Sequence, residues 1–114
     1  MADFITAAEF EERFSNTPIS KKNYEYQHTI IEYRLENTEE PYIIVPYANF
    51  HPKIQLELRA KGYTVCFVQV YEIGNNFPSN GWYIGPDKYR ESVIHATTEI
   101  SWQYWAKKIG LDEN

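Results

Sequence analysis

The chain has 114 residues, a formal net charge of −5 and a single cysteine, Cys66. That length suits one domain with its own core, and a lone thiol excludes an intrachain disulfide. Lys and Arg are scattered, doubled only at Lys21-Lys22 and Lys107-Lys108, so the clustered cations that hold duplex nucleic acid are missing, and no run of ~20 apolar residues offers a membrane span.

Ile5-Thr6-Ala7-Ala8-Glu9-Phe10 predicts a helix start. Thr6 can cap the Glu9 amide, Glu9 can reach back to the Thr6 amide, and Ile5 and Phe10 can form a hydrophobic staple. Phe10 and Phe14 then share one face, and Asn16-Thr17-Pro18 ends the helix. The preceding sequence shows no basic region followed by an apolar run, so no secretory signal is expected. Residues 24–37, YEYQHTIIEYRLEN, fit two periods. Alternation works through His28 and Ile30 and again, after a slip, from Ile31; a strand this long would need a bulge. Helical spacing places Tyr24, His28, Ile31 and Leu35 on one stripe, with Ser20 as a cap. Helix is the favoured reading.

After Pro41, a β-branched run predicts a strand at 42–45. Pro52 and Gly62 bracket KIQLELRAKG as the next helix, and His51 reads as a capping or surface residue. YTVCFVQVYEI follows at once and is the strongest strand pattern in the chain. Strand, helix, strand in succession predicts two parallel strands with a right-handed crossover. Residues 74–89, GNNFPSNGWYIGPDKY, read as a turn-rich loop that nonetheless holds Phe77, Trp82, Tyr83, Ile84 and Tyr89. Residues 74–91 are therefore expected as a loop insertion. SVIHATTEISW predicts a strand with Ile94, Ala96, Thr98, Ile100 and Trp102 on one face. Residues 103–114 form a tail or short helix, with Trp105 and Ile109 on one side, Gly110 ending it, and the last four residues frayed. The whole, 1–114, reads as one small α+β domain. Its N-terminal helices would pack on one face of a three- or four-stranded mixed sheet, with a long aromatic loop insertion.

No residue pattern names a reaction. His28, His51 and His95 lack metal-ligand partners at close spacing, apart from His95 with Glu99, and a zinc site needs three or four convergent ligands. Neither a metal nor another cofactor is expected. There is no G-x-S-x-G, Cys66 lies mid-strand without a feature that would lower its pKa, and Gly81 and Gly85 flank Trp-Tyr-Ile with no helix start to cradle a phosphate. The carboxylate doublets Glu11-Glu12, Glu39-Glu40 and Asp112-Glu113 suit solvation. The expectation is a protein that is not an enzyme.

The aromatics are the unusual feature: ten Tyr, six Phe and three Trp make up 17% of the chain. Tyr and Trp suit both cores and interfaces. Trp82 and Tyr83 could stack a base or sugar, but single-strand binding couples stacking to a positive groove, and only Lys88 and Arg90 lie close in sequence. A protein contact is favoured, with Phe77, Trp82, Tyr83 and Ile84 as contact residues and Tyr104 and Trp105 next. In the alternative, these aromatics fold back to complete a core. The partner would be another protein or a second copy of the chain, not duplex nucleic acid or a membrane.

LRAKGYTV at 58–65 and TTEISW at 97–102 carry a family resemblance. A helix ending in Lys-Gly-Tyr-x-Val, then a strand closing on Thr-x-Ile-Ser-Trp, resembles small tailed-bacteriophage proteins of uncharacterised function, over residues 20–102. In those proteins a leading helix, a strand, a second helix and a hairpin make the domain, and a short turn joins the last two strands. The resemblance implies helix at 24–37, no catalytic residues, and an insertion between the last two strands that carries partner contacts. It implies a virion component such as a capsid decoration, neck or tail accessory subunit, found in the virion or host cytoplasm. The alternative is an early phage effector that binds a host protein or sequesters a small nucleotide through Trp82, Tyr83 and Lys88.

Overall fold

Two threonines start the first two helices. In the computed structural model, which describes residues 3–93 and 95–111, Thr6 accepts the Glu9 amide at 3.1 Å and opens α1, Ala7–Ser15. The Thr6 hydroxyl donates to the Glu9 carboxylate at 3.1 Å, where the sequence suggested a bond from the Thr6 amide. Ile5 and Phe10 are 41% and 62% exposed, and α1 buries no residue. Thr17 caps α2, Pro18–Asn37, by accepting the Ser20 amide, and Pro18 takes the first turn, where its missing N–H costs nothing. Ser20, expected as the cap, is buried instead. Gln27, Ile30, Ile31 and Arg34 are buried along α2 at three- and four-residue spacing, which resolves the two-period segment as helix.

β1 is Ile43–Pro46, α3 is Pro52–Ala60, and β2 is Thr64–Glu72. His51 caps α3 through Nδ1, which accepts the Lys53 amide at 3.2 Å, and Gly62 follows the helix at φ 94°. β3 is Pro78–Gly85, a 3-10 helix covers Asp87–Val93, and β4 is Thr97–Thr98. Ser101 caps α4, Trp102–Lys108, and Gly110 stands beyond it at φ 83°.

The chain is a single α+β domain with a four-stranded mixed sheet in the order β1-β3-β2-β4. β3 runs antiparallel to β1 and β2, and β4 runs parallel to β2. β1 and β2 point the same way, as the strand-helix-strand pattern implies, but β3 lies between them. One sheet face (Ile43, Val45, Val65, Ile84) packs with Ile30 and Ile31 of α2, Ile54 and Leu58 of α3, and Trp102 and Ala106 of α4. The other face, with Ile44, Val70 and Tyr83, is closed by Val93 and Ile100.

The expected loop insertion at 74–91 is corrected. Its middle is an interior strand, and only residues 73–77 turn. Gly81 and Gly85, which read as turn signals, are there because neighbours crowd the backbone. A Cβ on Gly81 would lie 2.8 Å from Ile44 Cγ2 and 3.0 Å from the Val45 carbonyl; one on Gly85 would lie 2.9 Å from Tyr42 Cβ. Glycine inside a strand marks such close approach. Nor could a short turn have joined the flanking strands: β2 and β4 are parallel, and parallel strands need a crossover. The strand expected at 92–102 shrinks to Thr97–Thr98, because Val93 closes a 3-10 helix and Trp102 already belongs to α4. Ile94 and the last three of the four residues expected to fray lie outside the described residues. Leu111 is tied back by its amide, which donates to the Ala106 carbonyl at 2.8 Å.

Candidate functional site

The register of β2 against β3 sets three cross-strand pairs side by side on the helix-bearing face: Phe67 with Trp82, Gln69 with Asn80, and Tyr71 with Pro78. Side chains alternate along each strand, so all six point the same way. The helices cover only the other end of this face. Phe67 stays 48% exposed and Tyr71 41%. Gln69 Nε2 donates to Asn80 Oδ1 at 3.2 Å, which fixes the amide pair between the aromatic pairs. Ile73 and Phe77, both exposed, flank the turn at the far end.

Tyr47 completes the face from the end of β1. Its ring stacks on Trp82 at 6.0 Å and 7°, and Phe67 meets Tyr47 edge-on at 5.5 Å. Trp82 also meets Phe50, tilted, at 6.1 Å, and Phe50 in turn packs on Trp102. Trp82 therefore links the buried Phe50 to the stacked ring of Tyr47, which is 51% exposed. The loop that carries Tyr47 is pinned by three side-chain donors to three successive carbonyls. Trp82 Nε1 donates to Tyr47 at 3.3 Å, Trp102 Nε1 to Ala48 at 3.4 Å, and Gln27 Nε2 to Asn49. Asn49 holds the left-handed φ of 63° that this path demands, a conformation Asn tolerates better than most residues. The result is a firm, half-exposed aromatic surface with one central amide pair.

The sequence-predicted contact residues divide. Phe77 is 75% exposed at the turn, where its amide donates to Asn75 Oδ1 at 3.1 Å. Trp82 lies in the face but mostly as support. Tyr83 and Ile84 are fully buried and are corrected to core residues: Tyr83 alternates onto the second core, its hydroxyl donating to the Pro86 carbonyl, and Ile84 faces the helices. Tyr104 is exposed on α4. Trp105 is half-buried between the Arg34 guanidinium, 4.6 Å from its ring, and Lys108 at 4.9 Å, and its indole donates to the Glu99 carbonyl at 2.9 Å. It joins α4 to α2. Arg34 is buried and donates to the Ile44 carbonyl, and burial lowers its pKa to about 10, against the pull of Glu99. Sequence reasoning missed Tyr47, Phe67 and Tyr71. The signal for the last two was present in the alternation of TVCFVQVYE, where Phe67, Gln69 and Tyr71 share one face.

Two polar pairs were also missed, since each joins residues far apart in sequence. Ser20 Oγ lies 2.8 Å from His51 Nε2, both buried. Because Nδ1 accepts the Lys53 amide, the proton of the neutral ring sits on Nε2, which donates to Ser20. That is the wrong tautomer for a base that activates a serine, which needs a free Nε2 lone pair. Burial and nearby Lys53 lower the His51 pKa and favour this neutral form. The pair is a buried brace between α2 and α3. Glu72 hydrogen bonds Glu99, and burial, the Glu99 charge and that bond together raise its pKa. This pair links β2 to the segment that leads into α4. Among the described residues no group of His, Cys, Asp and Glu is arranged to hold a metal, and no helix is long and apolar enough to cross a membrane. No known family model matches the chain, and no curated protein or solved structure does either.

Proposed function

We propose that the chain is a non-enzymatic binding module that docks a protein partner on the face formed by Tyr47, Phe67, Trp82, Tyr71 and the Gln69–Asn80 pair. The carrying observation is the Tyr47 loop. Two indoles and one amide hold it so that a tyrosine ring stays half in solvent, stacked and unable to collapse into the core. Aromatics fixed in advance lose little freedom on binding, and interface hot spots are rich in them. The central amide pair would supply directional bonds. The cations beside the face are engaged on the 3-10 helix: Lys88 lies over Tyr89 at 5.0 Å, and Arg90, which shares a surface pocket with Phe67 and Gln69, pairs with Asp87 at 3.6 Å.

The experiment is capture of partners from the producing cells with the tagged chain and with a Tyr47→Ser, Phe67→Ser variant. The reading expects a partner held by the first and lost from the second. Equal capture by both would reject the face. The setting we propose is that of a virion component, supported by the resemblance at 58–65 and 97–102. Mass spectrometry of purified particles tests it separately, and absence of the chain from them would reject it.

A further inference from the structure

β3 flanks β2 on one side from Thr64 to Tyr71, but β4 covers the other side only at Tyr71 and Glu72. In an antiparallel pair, alternate residues turn both backbone groups toward the neighbour, and the residues between turn both away. The Tyr71 and Ile73 amides donate outward, to the Ala96 and Thr98 carbonyls, each at 3.1 Å. The outward set along β2 is therefore Val65, Phe67, Gln69 and Tyr71. Pro78, with no N–H to give, stands opposite Tyr71, as that phase requires. The Arg59 guanidinium closes one end of the row by donating to the Val65 carbonyl at 2.9 Å, and β4 closes the other. Between these stops, the N–H and C=O of Phe67 and of Gln69 meet no partner among the described residues.

We propose that the partner docked on the aromatic face enters as an extended strand and pairs with the β2 edge at Phe67 and Gln69. This rests on the docking reading and adds the form that the partner takes. Backbone chemistry is the first argument. A donor and an acceptor recur every second residue, roughly 7 Å apart, which matches another extended chain. A helix cannot answer them, because its own backbone groups are spent internally. Continuity is the second. Phe67 and Gln69 give their side chains to the face and their backbones to the edge, so one segment engages both. Space is the third. A hollow of about 430 Å³ between this edge and the 3-10 helix, lined by Val68, Arg90, Glu91 and Val93 as well as Phe67 and Gln69, receives the side chains that alternate to the opposite side. The last argument is the lack of a guard. Edge strands commonly carry a charge, a proline or a bulge that turns other chains away. Residues 65–70, VCFVQV, hold no charge and no proline, and their register against β3 runs without a bulge.

Amide hydrogen exchange on the isolated chain reads the edge itself. After correction for sequence, the Phe67 and Gln69 amides should exchange about tenfold faster or more than those of Cys66 and Val68, which point to β3. Equal protection would overturn the inference. Crosslinking in the producing cells then reads the pairing, with a photo-reactive side chain at exposed Asn80 as the probe. Gln69→Pro removes the outward N–H and fills the edge, a change a strand tolerates where that N–H faces solvent. Gln69→Ala loses the same side chain but keeps the N–H. The adduct should fall about tenfold or more in Gln69→Pro relative to Gln69→Ala, with matching far-UV circular dichroism. Equal adducts would overturn strand pairing and leave the docking face standing, whereas no adduct from the parent chain would overturn the docking reading itself. Should Gln69→Pro unfold, an ester in place of the Phe67 amide keeps the ring and removes only the N–H. It should weaken the adduct by about three- to tenfold, and no loss would overturn the inference. A dimer by light scattering in which these two amides are protected would overturn it in favour of a second copy.

Discussion

Replacing Gly81 with alanine distinguishes an interior strand from a loop. Gly81 pairs with Pro46 of β1 on one side and Val68 of β2 on the other. The added Cβ would meet Ile44 Cγ2 at 2.8 Å, the Val45 carbonyl at 3.0 Å and Ile100 Cδ1 at 3.7 Å. Ile44 and Val45 are 1% and 0% exposed, so neither can swing away into solvent. Overpacking of this kind costs about 1–3 kcal/mol. Against it, alanine restricts the unfolded chain and returns about 0.4–1 kcal/mol. The net expectation is a loss of about 1–2 kcal/mol. At roughly 4–8 °C per kcal/mol for a small domain, the melting temperature should fall by about 5–15 °C. Gly74→Ala is the control: its φ is 83° with nothing within 4 Å, so its cost of about 1 kcal/mol comes from backbone strain alone. Thermal and urea unfolding followed by circular dichroism reads both. An unchanged or raised melting temperature for Gly81→Ala would refute the packing of β3 between β1 and β2.

Trp82→Ala should destabilise by about 2 kcal/mol, roughly half the cost of emptying a core tryptophan site, whereas Tyr47→Ala should cost under ~1 kcal/mol; urea midpoints showing the reverse order would contradict the stack. For His51 the folded pKa lies below the ordinary 6.5, so the unfolded chain binds the extra proton and stability falls as pH drops below that value. His51→Asn keeps a side chain able to cap and should flatten that slope; an identical slope would remove His51 as its source. For Glu72 the sign is opposite. Its folded pKa lies above the ordinary 4.5, so the folded chain holds the proton longer and stability is lost as pH rises through the folded value. Glu72→Gln should therefore raise the melting temperature at pH 7 relative to wild type and lose that advantage near pH 4.

The helices were legible because their signals are local. Thr6 with Glu9, Pro52 with Gly62, and Gly110 each act within a turn or two of themselves. The strand at 78–85 was not, since Gly81 and Gly85 carry opposite meanings in a turn and under a crowding neighbour, and the neighbours, Ile44 and Tyr42, lie some forty residues away. The same holds at the site. The aromatic excess pointed to a contact surface, but only the strand pairing separates Trp82, half-buried on the helix-bearing face next to exposed Phe67, from Tyr83, which is wholly buried on the other. Tyr47 was hidden because its exposure depends on Trp82, Trp102 and Gln27 reaching back from three other elements. Likewise, Ser20 met His51 across 31 residues, a distance over which no periodicity speaks.

A photo-reactive side chain placed at Gln69, in the centre of the aromatic face, tests the docking claim most directly. A second, placed at exposed Glu39 in the segment between α2 and β1, serves as the control. Irradiated in the producing cells, the Gln69 probe should crosslink to one protein partner, and that adduct should disappear when Tyr47→Ser and Phe67→Ser are added. Crosslinking that is equal from both positions, or that survives the double substitution, would contradict the account.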